Sequence, residues 1–372
     1  MVSIPSLHFF RWVNQLEEAG HEVYWFDITG MSKHVSKINW VNQKNAWKLK
    51  WDYPGRIFVK NRLPKLYNFF QKFNEYKTNE VFEQYLKEVC PDVVHSFALY
   101  LSCSPIIEIM EKNPNQKWIY SSWGSDLYYF QNELDYLKDI KRVLPRINYL
   151  FTDCKRDYEL AKKYGFIGEF LGVFPGGGGF KLAEMEKFKL PISQRKTILI
   201  KGFQERSGRA ISVLKAIELL ANELGDYIIE VFGSDKEVYE YVTKSTLTKW
   251  DNFQVIGKMP HEEVLKLMGE SLIYIGNSNS DGMPNTMLEA ICMGVFPIQS
   301  NPGGATAEVI EDGLNGLLIE DCESVEEIKQ VIRKAISDFD FDKVNEHNYY
   351  TIVKKIDYYN IKSSVNQIYL KV

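Results

Sequence analysis

Residues 278–319 read SNSDGMPNTMLEAICMGVFPIQSNPGGATAEVIEDGLNGLLI. The kernel is an acid, a Gly-x-Pro turn and a short helix carrying a second acid: Asp281, Gly282, Pro284 and Glu289. Pro284 suits the opening of a helix, where a missing N–H is no loss. Met287, Leu288, Ile291 and Cys292 recur at helical spacing, and Gly294 is placed to end the helix. VFPIQ, 295–299, then reads as a short buried strand. A helix start beside a strand end is where an α/β protein holds phosphate. The two nearby carboxylates can accept hydrogen bonds from sugar or ribose hydroxyls.

This segment resembles the signature of retaining glycosyltransferases of family four, which have the GT-B fold. Their pattern is Glu, seven residues, Glu, with Gly-x-Pro after the first acid and Leu-Glu-Ala around the second. Here the pair is Asp281 and Glu289 with the gap intact, the first acid being one methylene shorter than the family's; GGATAEVIEDGLNGLLI, 303–319, also matches. The resemblance implies an α/β chain of two Rossmann-like domains whose parallel sheets face across a cleft. It further implies a nucleotide-diphosphate sugar as co-substrate, with Asp281 at the transferred sugar, Glu289 at the ribose, and Gly282, Met283 and Pro284 in the same donor site. In similar enzymes the backbone of the segment corresponding to 256–264, around Lys258 and Met259, reads the nucleotide base.

At 372 residues the chain fits two domains. Its 45% apolar and 14% aromatic content is that of a packed protein rather than a disordered one. Five scattered cysteines without CxxC pairing argue against a disulfide framework or zinc site and for a reducing, cytoplasmic compartment. Neither an export signal nor a run of 18 apolar residues occurs, so no spanning segment is expected. The net charge of −4 hides an asymmetry. Residues 32–77 hold eleven Lys/Arg against Asp52 and Glu75, a local +9 beside −13 elsewhere, interleaved with aromatics. Such a segment suits an anionic membrane surface, and with it a peripheral place on the inner face and a lipid-linked glycan acceptor. A solvated face with core aromatics is the plain alternative; nucleic acid is not expected as a partner.

Strand and helix patterns alternate along both halves, which implies parallel sheets covered on both faces. The breaker Pro175–Gly179 marks the boundary: an acceptor domain over 1–175, a donor domain over 176–340, and a helical tail over 341–372 returning to the first domain. The glycine run lacks the Lys-Ser/Thr of a phosphate loop and reads as an interdomain loop.

In ILIKGFQERSGRA, Lys201 ends a strand, with Arg206 and Arg209 after it. Two cations opposite a helix start would neutralise a diphosphate leaving group, Arg209 being preferred over Arg206; an ordinary charged surface is the alternative. Backbone amides at Asn285 and Thr286 would hold the distal phosphate, or simply begin the helix. Glu289, inside that helix, needs a partner that a ribose diol would supply, or else a salt bridge. In WGSDLYYF, 123–130, Asp126 is either an acceptor-side acid or base or a helix cap, and relatives commonly have His where Trp123 stands. His95 is the nearest remaining histidine by topology, as catalyst or as structural residue. No metal-ligand spacing or DxD triplet occurs, so no metal and no other cofactor is expected. Transfer of a sugar to a hydroxyl in cell-surface polysaccharide or glycolipid synthesis is the leading expectation. A nucleotide-sugar epimerase or hydrolase, or a non-catalytic paralogue that binds nucleotide sugar, are the alternatives.

Overall fold

A computed structural model describes residues 1–372. The chain forms two compact units, one of residues 1–152, 157–173 and 365–372, the other of 153–156 and 174–364. No helix is long and apolar enough to cross a membrane.

The first unit is built on seven parallel strands: β1 (Val2–Ser3), β2 (Tyr24–Asp27), β3 (Asn42–Lys44), β4 (Val93–Phe97), β5 (Lys117–Ser121), β6 (Tyr149–Thr152) and β7 (Glu169–Val173). Their order is β3-β2-β1-β4-β5-β6-β7. The chain therefore runs outward from β1 to one side, then restarts beside it at β4, leaving a switch point between the two. Trp118 and Tyr120 of β5 share a buried core with Val94, Leu150 and Ile107.

The second unit has six parallel strands: β8 (Thr197–Lys201), β9 (Ile228–Phe232), β10 (Phe253–Val255), β11 (Ser271–Gly276), β12 (Phe296–Ser300) and β13 (Leu317–Ile319). The order β10-β9-β8-β11-β12-β13 puts its switch point between β8 and β11. Alternate residues explain why both faces are covered. Ile198, Ile200, Ile273 and Ile275 enter one core, while Leu199 and Tyr274 enter the other. This is the apolar run expected of parallel strands buried on both sides. The helix Asn285–Cys292 lies in that second core, with Met287 through Cys292 all buried. Its end is tied down by Arg195, which is 5% exposed and donates to the carbonyls of Met293 (2.9 Å), Ser271 (3.2 Å) and Leu190 (2.8 Å).

Two expectations shift. The tail divides, because Phe341 and Val344 pack into the second unit's core; residues 341–364 stay with that unit, and only Val365–Val372 join the first. The glycine run lies buried within the second unit: Phe180 N–H donates to Ile356 O (2.9 Å), and Tyr358 N–H donates back to Phe180 O (2.9 Å).

Candidate functional site

In an open α/β sheet, ligands settle outside the carboxyl ends of the strands at the switch point. In the second unit that place is the end of β8 and of β11. Lys201 is the last residue of β8, half-buried. The loops that follow the two strands are stitched together. Arg209 N–H donates to Asn277 O (2.9 Å), Asn279 N–H to Ser207 O (2.9 Å), and the Asn277 amide returns to Arg209 O (3.1 Å) and Cys322 O (2.8 Å). The Arg209 guanidinium is held by Glu323 through Nε and by Gly208 O through Nη1 (2.5 Å). Arg206 is exposed on the same loop.

The loop after β11 then delivers the acids. Gly282 N–H turns back onto Asp281 Oδ1 (2.9 Å), and Arg156 Nη2 donates to Asp281 O (2.8 Å). A Cβ at 282 would meet the Asp153 carboxylate, which would have to shift to admit it. Met283 and Pro284 are buried, and the helix opens at Asn285 with Thr286 half-buried beside it. First-turn amides of a helix have no intrahelical acceptor and carry the positive end of its dipole. Glu289, one turn in, keeps 9% side-chain exposure and is hydrogen-bonded to His261 Nε2 at 2.7 Å. The salt-bridge alternative for Glu289 is thus partly realised, by a histidine at the start of the helix His261–Glu270.

Beneath these acids lies Tyr274. Burial, then the charges of Asp281 and Glu289, push its phenol well above the usual range. Its hydroxyl and Gln299 Oε1 are both buried without a hydrogen-bond partner, and a Cβ on Gly276 would run into both. Unpaired buried polar atoms are rare and concentrate where function tolerates their cost. The segment after β10 runs along the end of β9, Ile256 N–H donating to Val231 O (2.7 Å); Lys258 is exposed there and Met259 packs on the core. Lys201, Arg209, Asp281 and the Asn285–Glu289 helix start therefore converge on one switch point, with Lys258 and Met259 at the end of the neighbouring strand.

The first unit places its residues differently. Asp126 is 2% exposed; its Oδ2 accepts from Leu99 N–H (2.6 Å) and from the Tyr120 hydroxyl, and Oδ1 is buried without a partner. Burial raises it from 3.8 to about 7, against the pull of those two donors. It pins the turn after β4, where Ala98 has φ +64°, a strained value for a residue with a Cβ. His95 has the hydrogen-bonded surroundings of the structural alternative. It is 2% exposed with both ring nitrogens engaged, Nδ1 with the Tyr369 hydroxyl (2.5 Å) and Nε2 with Ser121 Oγ (2.8 Å). Trp12 Nε1 donates to the same Tyr369 oxygen (3.2 Å); burial keeps the imidazole neutral, its pKa well below the ordinary value. His95 also lines a cavity of about 460 Å³ with Tyr24 and Val93, at the amino ends of β2 and β4, away from the strand ends where ligands are expected. Trp123 rests on Phe97 (centroids 4.8 Å apart), and His8, which no motif marks, lies 6.1 Å from it.

Sequence reasoning also missed His261 as a partner of Glu289, and Arg156. Both contacts join residues more than 25 positions apart, which no local pattern reveals.

Residues 183–351 match the family model described as Glycosyl transferases group 1. An uncharacterized glycosyltransferase of Methanocaldococcus jannaschii is 32% identical over 160 residues, 42% of this chain and 39% of that protein. The Bacillus subtilis protein TuaC, named as a putative teichuronic acid biosynthesis glycosyltransferase, is 25% identical over 230 residues, 59% of this chain and 56% of that one. The chain thus spans less than two thirds of either relative's length. Among solved structures, the Anabaena protein HepE in complex with UDP and glucose superposes with a TM-score of 0.68 at 12% identity, covering 100% of this chain and 98% of that one. The fold is GT-B.

Proposed function

We propose that the protein is a glycosyltransferase that moves a sugar from a nucleotide-diphosphate sugar to a hydroxyl acceptor, with retention of anomeric configuration. The observation that carries this reading is the convergence of two cations, two carboxylates and a helix start at the β8–β11 switch point. In this reading Lys201 and Arg209 face the diphosphate, and the amides at Asn285 and Thr286 take the distal phosphate. Glu289, oriented by His261, accepts from the ribose diol, and Asp281 lies against the transferred sugar. The acceptor oxygen bonds the anomeric carbon as its bond to the diphosphate oxygen breaks, and the acceptor's proton passes to the departing phosphate or to solvent. Negative charge grows on the leaving diphosphate, so pre-placed cations stabilise the transition state more than the ground state. They can do so without a divalent metal.

The acceptor in this reading is a growing cell-surface polysaccharide or glycolipid, which the name of TuaC supports. The site of action is the cytoplasmic side, with residues 32–77 against the inner face of an anionic membrane. No disulfide joins the five cysteines, as a reducing compartment allows. Incubation with a panel of nucleotide sugars and glycan or glycolipid acceptors, followed by anomeric analysis, tests the proposal. Transfer with retained configuration is expected. Donor consumption without acceptor would mean a hydrolase or epimerase, and binding without turnover a non-catalytic paralogue.

A further inference from the structure

The helix Pro64–Asn74 is inside out for a protein in water. The residues it buries are polar, Gln71 and Asn74. Asn74 clamps the strand-like turn beside it, accepting from Trp51 N–H (2.9 Å) and donating to Trp51 O (2.9 Å), while Lys50 N–H donates to Asn74 O (2.8 Å). The outward stripe is apolar: Leu66, Phe69, Phe70 and Phe73, at i, i+3, i+4 and i+7, are 45–62% exposed. Phe69 packs edge-on with Phe70 and Phe73, centroids 6.1 and 5.7 Å apart, so the stripe is one continuous surface. The preceding helix, Arg56–Arg62, buries no residue and presents Ile57 at 67% and Phe58 at 64% exposure. Between Tyr53 and Asn74 there is no acid and there are five bases, Arg56, Lys60, Arg62, Lys65 and Lys72. Exposed apolar clusters mark interaction surfaces. Lysine is depleted from protein–protein interfaces but belongs, with Phe and Leu, to helices lying in a membrane surface.

We propose that the helices Arg56–Arg62 and Pro64–Asn74 form a membrane-insertion element that sinks its phenylalanine stripe into the headgroup–acyl boundary of an anionic bilayer, with the flanking bases on the lipid phosphates. This rests on the peripheral placement proposed for residues 32–77 and changes its physics. Charge alone is released by salt, whereas an inserted apolar face is not. It also narrows the segment, because Trp47 is a core residue stacked on Phe26 (5.1 Å) and Trp40 is hydrogen-bonded to Asn14 Oδ1 (2.9 Å).

Co-sedimentation of the full chain with phosphatidylcholine vesicles, with and without phosphatidylglycerol, at low and high salt, tests this. The expected result is binding strengthened by phosphatidylglycerol and only partly released by salt. Full burial of one phenylalanine is worth roughly one to two decades of partitioning. The combined variant Phe69→Ser, Phe70→Ser, Phe73→Ser should therefore lose at least about tenfold while keeping the wild-type melting temperature. Lys60→Gln with Lys65→Gln should lose only part of the anionic-lipid dependence, Arg56, Arg62 and Lys72 remaining. Binding released wholly by salt and unchanged in the serine variant would overturn insertion and leave simple charge attraction. No sedimentation with any vesicle would overturn both. Self-association without vesicle binding, abolished in the serine variant, would assign the stripe to a second copy and also overturn the proposal. Nucleoside diphosphate binding by the same variants should be unchanged, so a failure here is separable from a failure of the donor site.

Discussion

Replacing Asp126 by Asn should flatten the pH dependence of stability. Asp126 is buried, and its carboxyl is raised from 3.8 to about 7. Between these values the folded chain holds a proton at this position that the unfolded chain has released. The group's stabilisation is therefore fully present below about pH 4, falls as the pH rises, and is lost once the pH has passed through about 7. A rise of that size corresponds to about 4 kcal/mol in total, of which about 2–3 kcal/mol falls between about pH 5 and pH 8. Asparagine keeps an oxygen to accept from Leu99 N–H and the Tyr120 hydroxyl but does not titrate. Urea unfolding followed by tryptophan fluorescence reads this directly, since seven of the eight tryptophans belong to the first unit. Over that range the wild type should lose about 2–3 kcal/mol more than Asp126→Asn. Parallel pH profiles for the two proteins would refute the assignment of a proton to this buried carboxyl.

Gly282→Ala should destabilise by about 1–3 kcal/mol, because the new Cβ meets the Asp153 carboxylate; differential scanning calorimetry would show it, and an unchanged melting temperature would contradict the contact. Glu323→Gln, by loosening its hold on Arg209, should tighten nucleoside diphosphate binding by no more than about fivefold, since half-exposed ion pairs are worth about 0–1 kcal/mol. Calorimetry checks it, weakened binding being the contrary result. Transfer should survive EDTA; abolition by chelation with rescue by magnesium or manganese would remove the two-cation mechanism.

The strands and the donor signature were legible because they are local. Continuous apolar runs in ILIKG and SLIYIG lead directly to β8 and β11, and Gly-x-Pro before a helical apolar pattern leads to the helix at Asn285. Lys201 and Arg209 could be placed near that helix because strand alternation fixes which loops share a sheet end. What the sequence hid is non-local. Nothing in MPHEEV says that His261 reaches Glu289, nor in CKRDY that Arg156 reaches Asp281 O. His95 looked available because a strand-end histidine is as common in sites as in cores; the Tyr369 hydroxyl that occupies it lies 274 residues away. The polarity of Pro64–Asn74 was ambiguous for a different reason. Periodicity shows that an apolar stripe exists but not which side faces the protein.

Calorimetric titration of uridine and guanosine diphosphates into the wild type, Lys201→Ala and Glu289→Ala tests most directly whether the β8–β11 switch point is a nucleotide-sugar site. The wild type should bind one of the two saturably at one site per chain. Each variant should bind that nucleotide about ten- to a hundredfold more weakly, the cost of a hydrogen bond to a charged group. Equal affinity in all three proteins, or no binding by the wild type, would contradict it.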